Sequence, residues 1–238
     1  MRLYAGTSGY SYKPWVGRFY PERLPAGRML AHYAAHFNTV EINSTFYRMP
    51  AESLLARWTE EVPREFRFAL KAPRRITHDK RLRDAESDVT EFLRRASAMD
   101  DRLGIVFFQL PPFMRKDVSL LDAFLGLLPS DRRAAFEFRH ASWHDDDVYE
   151  CLRAHGAALC SADNDEGESP FVATTRAFAY VRLRRTAYDD AALGRWIERL
   201  RAHAFDSAFV YFKHEDEARG PRYAQRFFEL WRAEDIAR

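Results

Sequence analysis

The sequence is short of cysteine, of net charge and of long apolar runs, and each shortage removes a class of protein. Cys151 and Cys160 are the only cysteines in 238 residues. They have neither a CxxC spacing nor a nearby histidine to activate them, so they read as small buried hydrophobes rather than a disulfide framework, a zinc ribbon or a redox pair. Lys+Arg at 37 nearly cancel Asp+Glu at 35, leaving a formal charge of +2 and a pI near 8.5. Bulk charge therefore gives no ground for a polyanion partner, and any basic site must be local. No stretch approaches a membrane span, and the opening Met1-Arg-Leu-Tyr-Ala-Gly6 runs into a strand without an apolar leader. The expectation is a soluble, cytoplasmic protein with no membrane partner. Gly6 and Gly9 flank one turn but do not spell a nucleotide fingerprint. His32 and His36 have the i, i+4 spacing of a helical metal pair, yet the glutamate beside the first histidine is missing. No cofactor and no metal are expected, although His78, His140 and His214 follow strands and leave a metal alternative with Glu41 or Asp163. Repeats, low-complexity tracts and linkers are also lacking, so residues 1–238 read as one domain.

What is present is a core-forming composition, 47% hydrophobic and 30% charged, with a regular alternation of patterns. Strand signals lie near Leu3–Thr7, Thr39–Asn43, Arg67–Lys71, Ile105–Gln109, Ala134–Arg139, Ala157–Ala162, Phe178–Leu183 and Ala208–Lys213. Helical periodicity separates them near 28–37, 52–61, 87–99, 118–128, 146–155 and 190–203, and a last helix follows near 221–233. Only the sixth strand lacks a clear helix before the next. Eight βα units predict an α/β fold, a single (β/α)₈ TIM barrel, irregular around the sixth unit. The links from helix to strand are short. Those after strands one, three and six (8–27, 72–86 and 163–177) are long, and in such barrels this is the side that carries active sites.

The stretch Thr39-Val-Glu-Ile-Asn-Ser-Thr-Phe-Tyr47 shows how polar groups enter. Side chains alternate along a strand, so Val40 and Ile42 point one way while Thr39, Glu41 and Asn43 point the other. The same split sends Phe68, Leu70, Phe136, Phe138, Val181 and Leu183 to the helices. Inside it leaves Ala69, Lys71, Glu137, Arg139, Tyr180, Arg182 and Arg184, and by the same logic Gln109, Asp163 and Lys213. These polar residues fall at the C-terminal ends of their strands.

Several motifs carry a resemblance. Gly6-Thr-Ser-Gly9 with Tyr10-Ser-Tyr-Lys-Pro-Trp15 and Phe19-Tyr-Pro21, the segment from His36 to Tyr47, Phe66-Arg-Phe-Ala-Leu-Lys-Ala-Pro73 with Ile76-Thr-His78, Phe108-Gln-Leu-Pro-Pro112, and Glu137-Phe-Arg-His-Ala-Ser-Trp143 resemble the domain-of-unknown-function 72 family, also called YecE-like. They run from residue 4 to about residue 163. The resemblance implies a TIM barrel and no particular activity. Two sites depart from it. Arg184-Arg185 stands where the family commonly has His-Gly, and Lys213-His-Glu215 stands where it commonly has Asn-Asn-Asp, in the loops that often form the phosphate site of such barrels.

Glu41 and Glu137 lie three strands apart, which puts their Cα atoms roughly 12–14 Å apart across the mouth and their carboxylates on the order of 5–9 Å apart. That range suits an acid and a base or nucleophile with substrate between them. The alternative is a structural ion cluster with Lys71, Arg139 or Arg182. Lys71, Arg139, Arg182, Arg184 and Lys213 together exceed the carboxylates, and an anionic ligand would restore the balance. A Schiff base at Lys71 would need a depressed pKa, whereas carboxylate neighbours would raise it. The reading is an enzyme with Glu137 and Glu41 as catalytic carboxylates. Asn43 and Gln109 would orient a small phosphorylated or carboxylated substrate, and Lys71, Arg139 and Arg182 would hold its anionic group. Asp163, Lys213 and His78 stand beside them, and Tyr10 and Trp15 would contact the ligand from the first loop. Two alternatives remain: a nucleic-acid binding or processing protein using the basic loop 74–83 and the first-loop aromatics, and a barrel that binds without catalysis.

Overall fold

The computed structural model describes residues 1–236. Its elements in chain order are β1 (Arg2–Ser8), α1 (Met29–Ala34), β2 (Thr39–Ile42), α2 (Ser44–Tyr47), α3 (Glu52–Glu60), β3 (Arg67–Lys71), α4 (Glu86–Ala96), β4 (Leu103–Gln109), α5 (Val118–Leu125), β5 (Ala134–Glu137), α6 (Asp146–Ala154), β6 (Ala158–Asn164), β7 (Gly167–Glu168), β8 (Phe178–Leu183), α7 (Asp190–Arg201), β9 (Ser207–Phe212) and α8 (Arg219–Ile236). All strands but β7 are parallel, each pairs with its neighbours in the order β1, β2, β3, β4, β5, β6, β8, β9, and β9 returns to β1. The result is a closed eight-stranded barrel ringed by helices, a (β/α)₈ fold.

The helices follow local rules. α5 and α7 begin at Asp117 and Asp189, whose carboxylates accept from the free backbone N–H groups of Leu120 and Ala192. α4 opens with Glu86 and Asp88 and closes with Arg94 and Arg95, in the sense that complements the helix dipole. The sixth unit is irregular as expected. β6 folds back through the two-residue β7, paired antiparallel to it, and an extended link then leads to β8 without a helix.

Two apolar layers hold the barrel. The outer one, between strands and helices, takes Val40, Ile42, Phe68, Leu70, Phe136, Phe138, Val181 and Leu183, the face that alternation predicts. The inner one fills the barrel with Tyr4, Ile105, Phe107, Phe178, Tyr180, Phe209 and Tyr211 beside the small Ala69, Ala135, Ala158 and Cys160. Above this plug the interior turns polar.

Three details differ from the sequence reading. Asn43 caps α2 with helical backbone angles instead of continuing β2. The third loop contains a wide helical turn, Arg75–Asp79. In β6 the inward residues are Ala158 and Cys160, so Asp163 faces outward, toward α7.

Candidate active site at the barrel mouth

Six strands deliver one polar cluster above the aromatic plug, and a single guanidinium organises it. Arg182, near the end of β8, donates from Nη1 to Glu137 Oε2 at 2.6 Å and from Nη2 to Glu41 Oε1 at 2.9 Å, and its guanidinium lies 4.9 Å from the centre of the Phe107 ring. Glu41 also accepts from Tyr180 Oη at 2.7 Å, from Asn43 Nδ2 at 3.2 Å and from Ser8 Oγ, brought beside it by the β1–β2 register. Glu137 accepts from Arg139 Nε at 3.0 Å and has Arg184 Nη1 at 3.5 Å. Lys71 Nζ donates to Gln109 Oε1 at 3.0 Å and sits 4.2 Å from the centre of the Phe46 ring.

The electrostatics follow from this wiring. Burial alone would raise the Glu41 carboxyl, yet Arg182 and the donors from Ser8 and Tyr180 hold it below the ordinary carboxylate range. Burial acts likewise on Glu137, but Arg182, Arg184 and Arg139 bring it down to about 2. Lys71 moves the other way from the sequence expectation. Burial first and Arg182 second outweigh the two carboxylates and lower its pKa to about 8. Four cations, Lys71, Arg139, Arg182 and Arg184, thus face two carboxylates, an excess of two positive charges.

Access is one-sided. Glu41 is fully buried, Glu137 and Arg182 are each 2% exposed, whereas the side chains of Arg139 and Arg184 are 38% and 20% exposed. A recess of about 440 Å³ opens over Glu137, lined by Arg139, Arg184, Glu166, Glu168, His144 and Asn164 among others. The space between Glu41 and Glu137 is occupied by the Arg182 guanidinium, so the picture of a substrate between the two carboxylates is corrected. The recess meets Glu137 on the side of the β6–β7 hairpin.

A barrel with this strand-end cluster invites comparison with known proteins. The sequence matches the family described as protein of unknown function DUF72 over residues 4–237. The chain belongs to the DUF72 family. It is 37% identical over 139 residues to UPF0759 protein YecE of Escherichia coli strain K12, an alignment covering 58% of this chain and 48% of that protein. It is 26% identical over 157 residues to UPF0759 protein YunF of Bacillus subtilis strain 168, covering 62% and 54%. The matches thus span about half the length of these curated relatives. Among solved structures, a DUF72 family protein from Thermotoga maritima MSB8 superposes with a TM-score of 0.85 at 26% identity, covering 98% of this chain and 100% of the other. A second, from Enterococcus faecalis V583, gives 0.80 at 17% identity, covering 97% and 95%, a likeness of fold.

Of the residues singled out from the sequence of this DUF72 chain, Glu41, Asn43, Lys71, Gln109, Glu137, Arg139 and Arg182 come together. His78 stands beside them, its ring edge-on to Phe46, with its pKa lowered by burial and by Lys71. Others do not join. Tyr10 packs on Tyr33 and lies near Trp58 and Glu61, outside the barrel. Trp15 is fully buried, donating to the Glu215 carbonyl at 3.0 Å and stacking among Tyr12, Phe19 and Tyr20. Lys213 is exposed at the end of β9. Asp163 accepts from Tyr188 Oη, from Trp196 Nε1 at 3.2 Å and from the Arg184 backbone N–H at 3.1 Å, and pairs with Arg185 at 3.1 Å. It therefore shapes the β8 loop that carries Arg184 toward Glu137. In the basic third loop Arg74 pairs with Asp79, Arg75 and Lys80 with Asp88, and Arg83 with Asp117. The arginines of these pairs stay largely exposed, and Arg81 of the same loop lies over the Phe113 ring. Ser8, Phe46, His144 and Asn164 were not anticipated. Ser8 carried a usable signal, since it ends β1 on the inward set of Tyr4 and Gly6.

No helix of the described residues is long and apolar enough to cross a membrane.

Proposed function

We propose that the mouth of this barrel binds a small phosphorylated or carboxylated substrate and transforms it by acid/base chemistry, with Glu137 as the proton-accepting group. The observation that carries this reading is the pair of partly exposed guanidinium groups, Arg139 and Arg184, that line the recess beside Glu137; of the other two carboxylates there, Glu168 is paired with Arg185 and Arg199, and Glu166 is exposed. Arg139 and Arg184 offer planar forks suited to an oxyanion, and both are partly exposed.

Glu137 in the free protein is a weak base because three guanidinium groups surround it. An anion seated on Arg139 and Arg184 would neutralise part of that field, and the basicity of Glu137 would rise as the substrate arrives. Lys71, with a pKa of about 8, is ionised near neutrality and able to return a proton. Glu41 is fully buried and does not line the recess over Glu137. Its role in this reading is to hold Arg182 in place, with Asn43 and Gln109 supporting the two sides of the cluster.

The test uses inorganic phosphate and a panel of small phosphorylated and carboxylated compounds, read first by thermal shift and then by turnover. Arg139→Ala and Arg184→Ala should each weaken anion binding. Glu137→Gln should keep binding and lose turnover by a factor on the order of 10²–10⁴. Absence of any anion-dependent stabilisation would overturn the reading, and turnover unaffected by Glu137→Gln would leave a barrel that binds without Glu137 chemistry.

A further inference from the structure

A second group of chemistry-bearing side chains lies in the outer helical layer, away from the mouth. Asp122 on α5, Cys151 on α6 and His155 just past the end of α6 bring one carboxylate oxygen, one sulfur and one ring nitrogen within 4.8 Å of one another. His155 Nε2 is 2.8 Å from Asp122 Oδ1, and Cys151 Sγ is 4.0 Å from the same oxygen. The sequence reading gave Cys151 no histidine neighbour. The i, i+4 spacing of Cys151 and His155 in fact puts them on one face of α6, and the packing of α5 on α6 supplies the carboxylate.

We propose that these three residues form a site for a borderline-soft divalent cation of the zinc type, which would clip α5 to α6 and keep one coordination position open to water. The donor set selects the class, because one thiolate and one imidazole favour zinc or cobalt over magnesium or calcium. The geometry is close. Zinc bonds of 2.0–2.3 Å in a tetrahedron set donor atoms roughly 3.3–3.6 Å apart, and the two separations of 2.8 and 4.0 Å bracket that value. The third separation, between the Cys151 sulfur and the His155 ring nitrogen, is within 4.8 Å.

The local field also favours a cation. The carboxylates of Asp122 and Asp147 both lie near the Cys151 sulfur, and a metal would bring positive charge beside them. Asp147 is itself held by Lys116, 3.0 Å away, which leaves water as the fourth ligand. Exposure supports entry from solvent, since the Asp122 side chain is 66% exposed and that of His155 27%, while Cys151 is buried beneath them. On binding, the Cys151 S–H proton leaves to solvent as the sulfur–metal bond forms. The imidazole remains neutral and gives the Nε2 lone pair, its proton moving to Nδ1, and no electrons are exchanged.

The test is anaerobic titration of the reduced, chelator-treated full chain with Co²⁺. One Co²⁺ per chain should bind with a near-ultraviolet thiolate-to-cobalt band and the intense visible bands of four-coordinate cobalt, and Zn²⁺ should displace it. Cys151→Ser should abolish the thiolate band, whereas Cys160→Ser, in the barrel interior, should retain it. His155→Ala and Asp122→Asn should weaken binding by at least on the order of tenfold, the loss seen even for outer partners of a metal site. Zn²⁺ should also slow alkylation of Cys151 by iodoacetamide. A cobalt spectrum without the thiolate band would overturn the proposal, as would zinc affinity unchanged in the three variants. Asp122 is exposed, so Asp122→Asn reads out the site without threatening the fold.

Discussion

Lys71 and Arg182 are neighbours of like charge in the same buried cluster, and their environments divide the labour between them. Lys71 has one hydrogen-bond acceptor, Gln109, and an aromatic face, while Arg182 bridges two carboxylates. The lysine is therefore the group whose proton is loosened. Its amine should acylate with a pH midpoint of about 8 instead of the ordinary 10.5, read by competitive labelling and mass spectrometry. Phosphate seated on the neighbouring arginines should move that midpoint upward, and a midpoint near 10.5 without anion would contradict the burial assigned to this residue. Arg182 makes the opposite prediction, about stability. Arg182→Gln removes the one cation that touches Glu41 among the described residues and leaves a fully buried carboxylate without that counter-charge, a loss of about 3–5 kcal/mol. Arg184→Ala, at the partly exposed rim, should cost under about 1 kcal/mol. Urea unfolding of the two variants compares them directly. From sequence, the residue types at the strand ends were legible, but the direction of the Lys71 shift was not. Direction depends on depth of burial and on which charge lies nearer, and neither is written in a strand pattern.

At the scale of elements, β1 and β2 are joined by more than their ladder. Tyr33 from α1 accepts from the Thr7 N–H at 2.7 Å and donates to the Thr39 carbonyl at 3.0 Å, spanning the two strands. Gly6 makes room for this, because a Cβ there would fall 2.1 Å from the Thr39 carbonyl oxygen and 2.7 Å from Tyr33 Oη. Gly6→Ala should therefore push the strands apart at a cost of about 1–3 kcal/mol or more, and Tyr33→Phe should cost about 1–3 kcal/mol by leaving a buried donor unmatched. Because both act on one junction, the double variant should lose less than the two single losses added, as a urea-denaturation cycle would measure. Additive losses would mean the two residues act independently. The register here brings Ser8 level with Glu41, so the same variants should also weaken anion binding. Period-two alternation predicted the faces of β2, β3, β5 and β8 because each strand alternates large apolar with polar or small residues. It failed in β6, where Ala157, Ala158, Leu159, Cys160, Ser161 and Ala162 look nearly alike on both faces. With no bulky set to commit to one side, a shift of one residue is invisible and carries Asp163 to the other face. The cluster of Asp122, Cys151 and His155 was half legible: the helix spacing was on the page of the sequence, but the contribution of a separate helix was not.

At the scale of the whole molecule, the mouth cluster couples folding to pH. Glu137 has its pKa lowered from 4.5 to about 2, and Glu41 is lowered as well. Between those limits the unfolded chain binds protons that the folded chain refuses, so stability rises with pH in that window. The contribution is fully present above about 4.5 and is lost as pH falls toward about 2. Asp163 works against this trend, since burial raises its pKa and it takes up its proton earlier in the folded state. The net slope between pH 5 and pH 3 is therefore expected to be positive but less steep than the two glutamates alone would give. Replacing Glu137 with Gln removes its share, and the variant's urea midpoint should change less over that interval than the parent's. Replacing Asp163 with Asn should do the reverse and steepen the fall. An anion that binds only the folded mouth adds stability that grows with its concentration, about 2.7 kcal/mol at one hundred times its dissociation constant. That increment should survive Asp163→Asn only if the β8 loop still presents Arg184. Parallel pH curves for the parent and Glu137→Gln would show that the acid sensitivity arises elsewhere in the chain.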